Sequence, residues 1–306
     1  MKRRDFLTAA SLLGGALSLA TTGEAFASGK KYFRVAHMSD VHVKPGEIPE
    51  RGMARALQAI QALKPKVDFI INTGDSIMDA LEADKPSITS QWKIFHRILQ
   101  SENKLPVHHA IGNHDIWGWF NKNDQDKQDH AYGKQWAVDE LSLPARYYSV
   151  EKDSWIFLIL DSTQLNPNGG YIAYLDDEQL HWLQDKLSTV KEKNVCIVSH
   201  IPVLSICAGL FFNKTEANGD LLIKRNLMHT DFLKLKEIFK SNENIKVCIS
   251  GHIHLQDEVH YLGVKYYCNG AICGNWWKGS FFEFAPAFAV MDFFDDGSVN
   301  RSIVNY

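Results

Sequence analysis

Five separate apolar runs in this chain each lead directly into residues of the kinds that bind metal ions. They finish at Asp40-Val41-His42, Gly74-Asp75, Gly112-Asn113-His114-Asp115, His200 and Gly251-His252-Ile253-His254. Short apolar runs bounded by such residues read as buried strands. Their ends all carry the same kind of chemistry, so the fold must bring them to one edge of a sheet. Open α/β sheets bind ligands at the carboxyl ends of their strands. Side chains alternate along extended chain, so Asp-x-His and His-x-His each put two ligands on one side. A local echo supports convergence: Val195-Cys196-Ile197-Val198-Ser199-His200 parallels Val247-Cys248-Ile249-Ser250-Gly251-His252.

The rest of the chain fits this frame. Strands are expected at YFRVAHM, VDFIINT, LPVHHAI, SWIFLIL, NVCIVS, IKVCIS, VKYYCN and FAVMDFF. Between them run helical stripes: Met53, Leu57, Ile60 and Leu63; Trp92, Phe95, Ile98 and Leu99; Leu180, Leu183 and Leu187; Phe232, Leu235, Ile238 and Phe239. Strands alternating with amphipathic helices predict an α/β fold with helices covering the sheet faces. Pro65 and the DKPS stretch at 84–87 punctuate helix ends. No break in composition marks a linker, so residues 28–306 read as a single domain. The polar stretch 121–129 reads as an exposed loop. Residues 205–229, long and without clear periodicity, suggest a functional lid.

A chain of 306 residues with 23% charged residues and a net charge of −3 excludes a disordered polymer or a small disulfide scaffold. It lacks the basic excess of a nucleic-acid binder, and none is expected. Five cysteines are too few for a disulfide framework. Cys196 and Cys248 lie in apolar runs and read as packed thiols, while Cys268 and Cys273 are close enough in sequence to allow a local bridge. Residues 1–27 have the layout of a secretory signal peptide: Lys2, Arg3 and Arg4, an apolar stretch from Phe6 to Ala20, then Ala25 and Ala27. Arg3 and Arg4 followed by Asp5-Phe6-Leu7 resemble a twin-arginine signal, which implies the twin-arginine export machinery as a partner. The apolar stretch is shorter than the roughly 20 residues a membrane span requires. A periplasmic or secreted protein without a membrane span is expected.

Asp40, His42, Asp75, Asn113, His200, His252 and His254 make seven candidate ligands, too many for one ion. They suit two ions bridged by a carboxylate, with positions open to water and substrate. The mixture of imidazole nitrogen and carboxylate oxygen favours divalent or mixed-valence Mn, Fe or Zn over Ca or Mg. The glycines before Asp75 and His252 are expected to let the backbone turn tightly there.

The ordered blocks Asp-x-His, Gly-Asp, Gly-Asn-His-Asp, a lone His and Gly-His-x-His over residues 40–254 resemble the calcineurin-like metallophosphoesterases. Gln179, Trp182 and Leu183 are similar to the bacterial, phosphodiesterase-like branch. The resemblance implies a four-layer αββα sandwich with a dinuclear metal site at the strand carboxyl ends. It implies that Asp40, His42 and His254 hold one ion, that Asn113, His200 and His252 hold the other, and that Asp75 bridges them. It further implies that His114 protonates the leaving oxygen while Asp115 orients and charges it. Met78 stands where purple acid phosphatases carry a Tyr, so a coloured iron site is not expected. The implied reaction is hydrolysis of a phosphodiester or small organic phosphate by in-line attack of a hydroxide shared by the two ions. The alternatives are a broad phosphomonoesterase and a non-catalytic, metal-dependent binding protein of the envelope.

Trp117, Trp119, Trp276 and Trp277 are candidates for an aromatic rim that grips the substrate, with Phe211, Phe212 and Lys214 beside them. His37, His108 and His109 read as packed histidines, and Asp161 as a turn residue.

Overall fold

The computed structural model describes residues 32–120 and 124–306. The leader at 1–27 and the start of the polar loop, 121–123, lie outside the described residues. The chain opens with β1 (Tyr32–Met38), α1 (Glu47–Ala62), β2 (Phe69–Asn72), α2 (Lys85–Glu102) and β3 (Val107–His109). A short α3 (Gln135–Glu140) precedes β4 (Tyr148–Lys152), β5 (Trp155–Ile159) and a small hairpin of β6 (Thr163–Leu165) and β7 (Tyr171–Ala173). Next come α4 (Asp177–Thr189), β8 (Asn194–Val198), α5 (Ile206–Phe211) and a second hairpin of β9 (Lys214–Thr215) and β10 (Leu221–Leu222). The remainder is α6 (Phe232–Lys240), β11 (Ile245–Ser250), β12 (Gln256–Tyr261), β13 (Val264–Asn269), β14 (Ala287–Phe294) and β15 (Val299–Asn305).

Two larger sheets form, in the orders β15-β14-β1-β2-β3 and β12-β13-β11-β8-β5-β4. β1, β2 and β3 run parallel, as do β5, β8, β11 and β13, while antiparallel pairing holds the edge strands β15, β12 and β4 and leaves β3 as a parallel edge. Alternation along each strand divides the core. Trp155, Phe157 and Ile159 of β5 meet Phe33, Val35, Phe69 and Phe293 between the sheets. Ile156 and Leu158 face the other way, onto Leu180, Leu183 and Leu187 of α4 and Leu235 and Phe239 of α6. On the far side, Met53, Leu57 and Ile60 of α1 and Trp92 and Phe95 of α2 cover Ala36, Met38 and Ile70. The layers are therefore helix, sheet, sheet, helix, the four-layer sandwich implied by the sequence blocks. Asp84 and Asp176 start α2 and α4 by accepting the backbone N–H groups of Ser87 and Gln179, caps that contribute about 1 kcal/mol each.

Three readings need correction. The LPVHHAI run pairs only over Val107–His109. The stretch 205–229, which shows no periodicity, contains α5 and the β9–β10 hairpin. Asp161 is more than a turn residue: its fully buried carboxylate sits 2.5 Å from Lys134 Nζ and 2.9 Å from Arg146 Nη1. All five cysteines are free and buried, so Cys268 and Cys273 form no bridge. Among the described residues no helix is long and apolar enough to cross a membrane.

Candidate metal centre

The parallel strands β1, β2 and β3 of one sheet and β8 and β11 of the other deliver the five sequence blocks to one place. Backbone hydrogen bonds stitch the ends together: Asp40 N–H to Gly74 O (3.0 Å), His42 N–H to Asp75 O (2.9 Å) and Gly251 N–H to His200 O (3.0 Å). Asp40, His42, Asp75, His252 and His254 all have positive φ, between 46° and 68°. Non-glycine residues adopt this region rarely and at some cost, and such strain gathers at functional sites. Gly74 is itself at φ 103°, the tight turn expected before Asp75. Gly251 serves a different purpose. Its φ is ordinary, but a Cβ there would lie 1.7 Å from Ser39 Oγ and 2.4 Å from Asp40 Oδ2, so close approach of β1 requires the glycine.

All seven candidate ligands converge. Asp75 Oδ2 lies 3.4 Å from His42 Nε2 and 3.3 Å from His200 Nε2. On one side of it, His42 Nε2 is 3.2 Å from His254 Nε2, which is 3.3 Å from Asp40 Oδ1. On the other, His200 Nε2 is 3.0 Å from Asn113 Oδ1 and 3.2 Å from His252 Nδ1. Donors held about 2.0–2.2 Å from a common cation stand roughly 3.0–3.5 Å from one another. The spacings fit two such cations sharing Asp75.

Each imidazole is also oriented from behind. His42 Nδ1 faces Met78 O (3.4 Å), His200 Nδ1 Thr73 O (2.8 Å), His252 Nε2 Asn226 O (2.8 Å) and His254 Nδ1 Gly274 O (2.7 Å). A carbonyl only accepts, so the outer nitrogen carries the hydrogen and the inner one presents a lone pair. This is how proteins orient metal-binding histidines. Paired inner nitrogens 3.2 Å apart then need a positive charge between them. Without metal, protons take that role. Burial opposes charge on His200, but Asp75 and Asp40 outweigh it and push its pKa up to about 9. Burial likewise opposes His254, which Cys273 and Asp40 hold well above the usual range. Their partners His42 and His252 are pushed down to about 3, mainly by burial.

His114 stands beside this group. Its backbone N–H donates to Asp75 Oδ1 (2.7 Å), which leaves Oδ2 free to face both halves. Its ring lies edge-on to His42, with centroids 4.8 Å apart. Its carboxylate neighbour differs from the expected one. Asp115 is fully buried and accepts backbone N–H groups of Ser76 (2.8 Å), Ile77 (3.3 Å) and Gly112 (2.9 Å), clamping the β2 and β3 loops together. Burial and the nearby Asp75 charge push its pKa up to about 7. The group facing His114 is Asp79, whose Oδ1 lies 3.7 Å from Nδ1 and accepts from Leu81 N–H. Burial works against charge on His114, but Asp75 and Asp79 outweigh it and raise its pKa.

The four tryptophans separate. Trp117 is buried against Trp136, with Lys85 Nζ 4.5 Å above its ring, and belongs to the core. Trp119 packs under Lys134. Trp277 donates from Nε1 to His42 O (2.9 Å) and covers Gly52 of α1, where a Cβ would meet its ring at 2.0 Å. Only Trp276 lies against the ligands, 4.4 Å from His254 and 5.9 Å from His42 between ring centroids. Phe281 extends that wall, and the ring of Tyr171 lies 6.1 Å from that of His252. His37 and His109 are buried and hydrogen-bonded to Thr73 and Asn72, and His108 packs on Phe69, as their sequence context suggests.

Residues 33–256 match the model of the calcineurin-like phosphoesterases, and the chain belongs to that family. Among its relatives is the serine/threonine-protein phosphatase CPPED1 of Homo sapiens, 28% identical over 204 residues, which are 65% of this chain and 57% of that protein. The match thus spans little more than half of that relative's length. The 3',5'-cyclic adenosine monophosphate phosphodiesterase CpdA of Haemophilus influenzae is 22% identical over 286 residues, 90% of each chain. A dimetal phosphatase from Danio rerio superposes with a TM-score of 0.60 at 13% identity, covering 90% of this chain and 99% of that one, and shares the fold.

Proposed function

We propose that this protein is a hydrolase of phosphoric esters that holds two metal ions, with Asp40, His42 and His254 on one, Asn113, His200 and His252 on the other, and Asp75 between them. The observation that carries this reading is the position of Asp75 Oδ2, within 3.4 Å of an inward-facing nitrogen on each side. The mixture of nitrogen and oxygen donors suits Mn, Fe or Zn. Ions held there would supply an activated water and neutralise charge on the phosphoryl oxygens. The protein's own groups do the rest. With Nδ1 of His114 directed at Asp79, its Nε2 carries the proton offered to the leaving oxygen. Asp75 and Asp79 raise the pKa of His114 and so favour retention of that proton. Trp276 and Tyr171 wall the entrance and orient the organic part of the substrate.

The relatives' names include both a phosphatase and a phosphodiesterase, and CpdA, aligned over most of both chains, supports a diester. The test is hydrolysis of bis(p-nitrophenyl) phosphate against p-nitrophenyl phosphate after loading with Mn, Fe or Zn. Turnover that chelation abolishes and re-addition restores, with a bias to the diester, is the expected result. A monoester bias would move the assignment to phosphomonoesterase. No turnover in protein carrying two ions would favour a binding protein.

The single domain is assigned to 28–306, preceded by a signal peptide at 1–27, which supports a periplasmic or secreted protein exported by the twin-arginine route. Changing Arg3 and Arg4 together to Lys should leave unprocessed protein in the cytoplasmic fraction. Unchanged export of that double variant would instead point to the general secretory route.

A further inference from the structure

The segment between His200 and α6 exposes more apolar surface than folding requires. Ser205 caps α5, accepting from Ala208 N–H and donating to Asp257 Oδ2 at 2.6 Å. The helix packs Cys207 and Ala208 onto Ile253, Leu255 and Cys268. That leaves Ile206 and Leu210, one turn apart, 52% and 63% exposed. The β9–β10 hairpin adds Leu221, Leu222 and Ile223, all exposed, and Phe282 is 54% exposed. The hairpin end and Phe282 both adjoin α5. The site a Cβ would take on Gly209 lies 3.4 Å from Ile223 Cδ1, and the ring of Phe282 is 5.1 Å from that of Phe211.

The surface is continuous with the metal centre. From Phe282 the ring contacts run inward to Phe281 (4.9 Å), Trp276 (5.4 Å) and His254 (4.4 Å). An apolar path thus leads from a ligand imidazole to an exposed aliphatic face. Its aliphatic end offers no hydrogen bonds to a base or sugar, and patches of this kind mark binding surfaces. Lys224 and Arg225 directly follow Ile223 in the chain, and Lys214 pairs in register with Leu222 while its amine reaches Glu216. Of these, exposed Lys224 next to Ile223 gives this end a cation that suits an anionic amphiphile, whereas Lys214 is paired with Glu216 and Arg225 lies among Asn166, Tyr174 and Asp231.

We infer, resting on the phosphoesterase reading above, that the substrate is an amphiphilic phosphoester whose hydrocarbon chain lies along Trp276, Phe281 and Phe282 to the face formed by α5 and the β9–β10 hairpin. The phosphate enters the metal centre while the chain remains on this path.

The test compares hexadecyl with methyl 4-nitrophenyl phosphate as substrates of the metal-loaded full chain, and dodecyl with methyl phosphate as ligands by calorimetry, with and without metal. Two variants are used, Leu221→Ser/Leu222→Ser/Ile223→Ser and, independently, Leu210→Ser. The leader is common to all proteins, so differences between them report this face. Each methylene taken from water favours binding by about fourfold, so a preference of roughly a hundredfold or more in kcat/KM for the hexadecyl ester is expected. The variants should lose about tenfold of that preference and of dodecyl phosphate affinity while the methyl ester is hydrolysed as before. Equal kcat/KM for the two esters, or dodecyl phosphate binding that neither variant weakens, would overturn the inference. Binding that depends on this face, without turnover of either ester, would keep the ligand assignment and overturn the activity.

Discussion

Replacing Asp75 by Asn is expected to lower turnover by on the order of 10³-fold and metal content from two ions per chain to one or none. The reason lies in the two ends of one side chain. Oδ1 accepts the His114 N–H at 2.7 Å and fixes the carboxylate plane, while Oδ2 faces His42 and His200 at 3.4 and 3.3 Å. An amide can keep the first contact, so the loop should hold. It cannot bring negative charge to two cations, and its NH₂ group would repel them. Asp75 is held well below the usual carboxylate range, because His200, His114 and His42 outweigh the effect of burial, so the charge that is lost is present throughout the neutral range. Elemental analysis of the purified variant and the rise in melting temperature on metal addition measure the effect, since an ion that binds only the folded chain stabilises it. A variant that keeps two ions and turnover within about tenfold of wild type would sink the bridging role.

The layers of the fold were legible because the strands that build them are buried on both faces. β1, β2, β5, β8, β11 and β14 read as apolar runs, and the helices over them carry clear stripes. The three-residue strands β6 and β7 went unread, and in the two larger sheets so did β4, β12 and β15, which lie at the edges with sequences such as Tyr148-Ser-Val-Glu-Lys and Gln256-Asp-Glu-Val-His-Tyr. Half of each faces solvent, so apolar content cannot distinguish them from loops. β9 and β10 are only two residues long, below the length at which alternation can be seen.

At the centre, the candidate ligands were legible because side chains with rare chemistry end apolar strands. What supports them was hidden, because it is largely backbone. Carbonyls of Met78, Thr73, Asn226 and Gly274 orient the four imidazoles, and nothing in a side-chain sequence marks a carbonyl. The rim reading failed for Trp117 for a related reason. Adjacency to the GNHD block brings its backbone near the site, but a 3₁₀ turn over Asn113–Asp115 and the pairing of Trp117 with Gly133 send its ring into the core. Asp79 was overlooked because it ends no apolar run. It belongs to the loop after β2, held there by Gln91 of α2 through its backbone.

The pairing of Asp79 with His114 supplies the second large effect. His114→Asn should leave metal content unchanged and cut turnover about 10²–10⁴-fold for esters with poor leaving groups. The loss should be far smaller for p-nitrophenyl esters, whose leaving group departs without a proton. Asp79→Asn should act in the same direction but more weakly, since it changes the histidine's charge state and aim rather than removing the proton donor. The sign of the pH dependence follows from its position. Asp79 helps to raise the His114 pKa, and an acid works only while protonated, so activity falls as pH rises through that pKa. Neutralising Asp79 lowers the pKa and moves the alkaline fall to lower pH, whereas His114→Asn abolishes this fall. Asp115→Asn separates the two carboxylates. Its side chain bonds to Ser76, Ile77 and Gly112 rather than to His114, so that variant should melt at a lower temperature with the alkaline limb in place. A shifted limb in Asp115→Asn with none in Asp79→Asn would return the orienting role to Asp115.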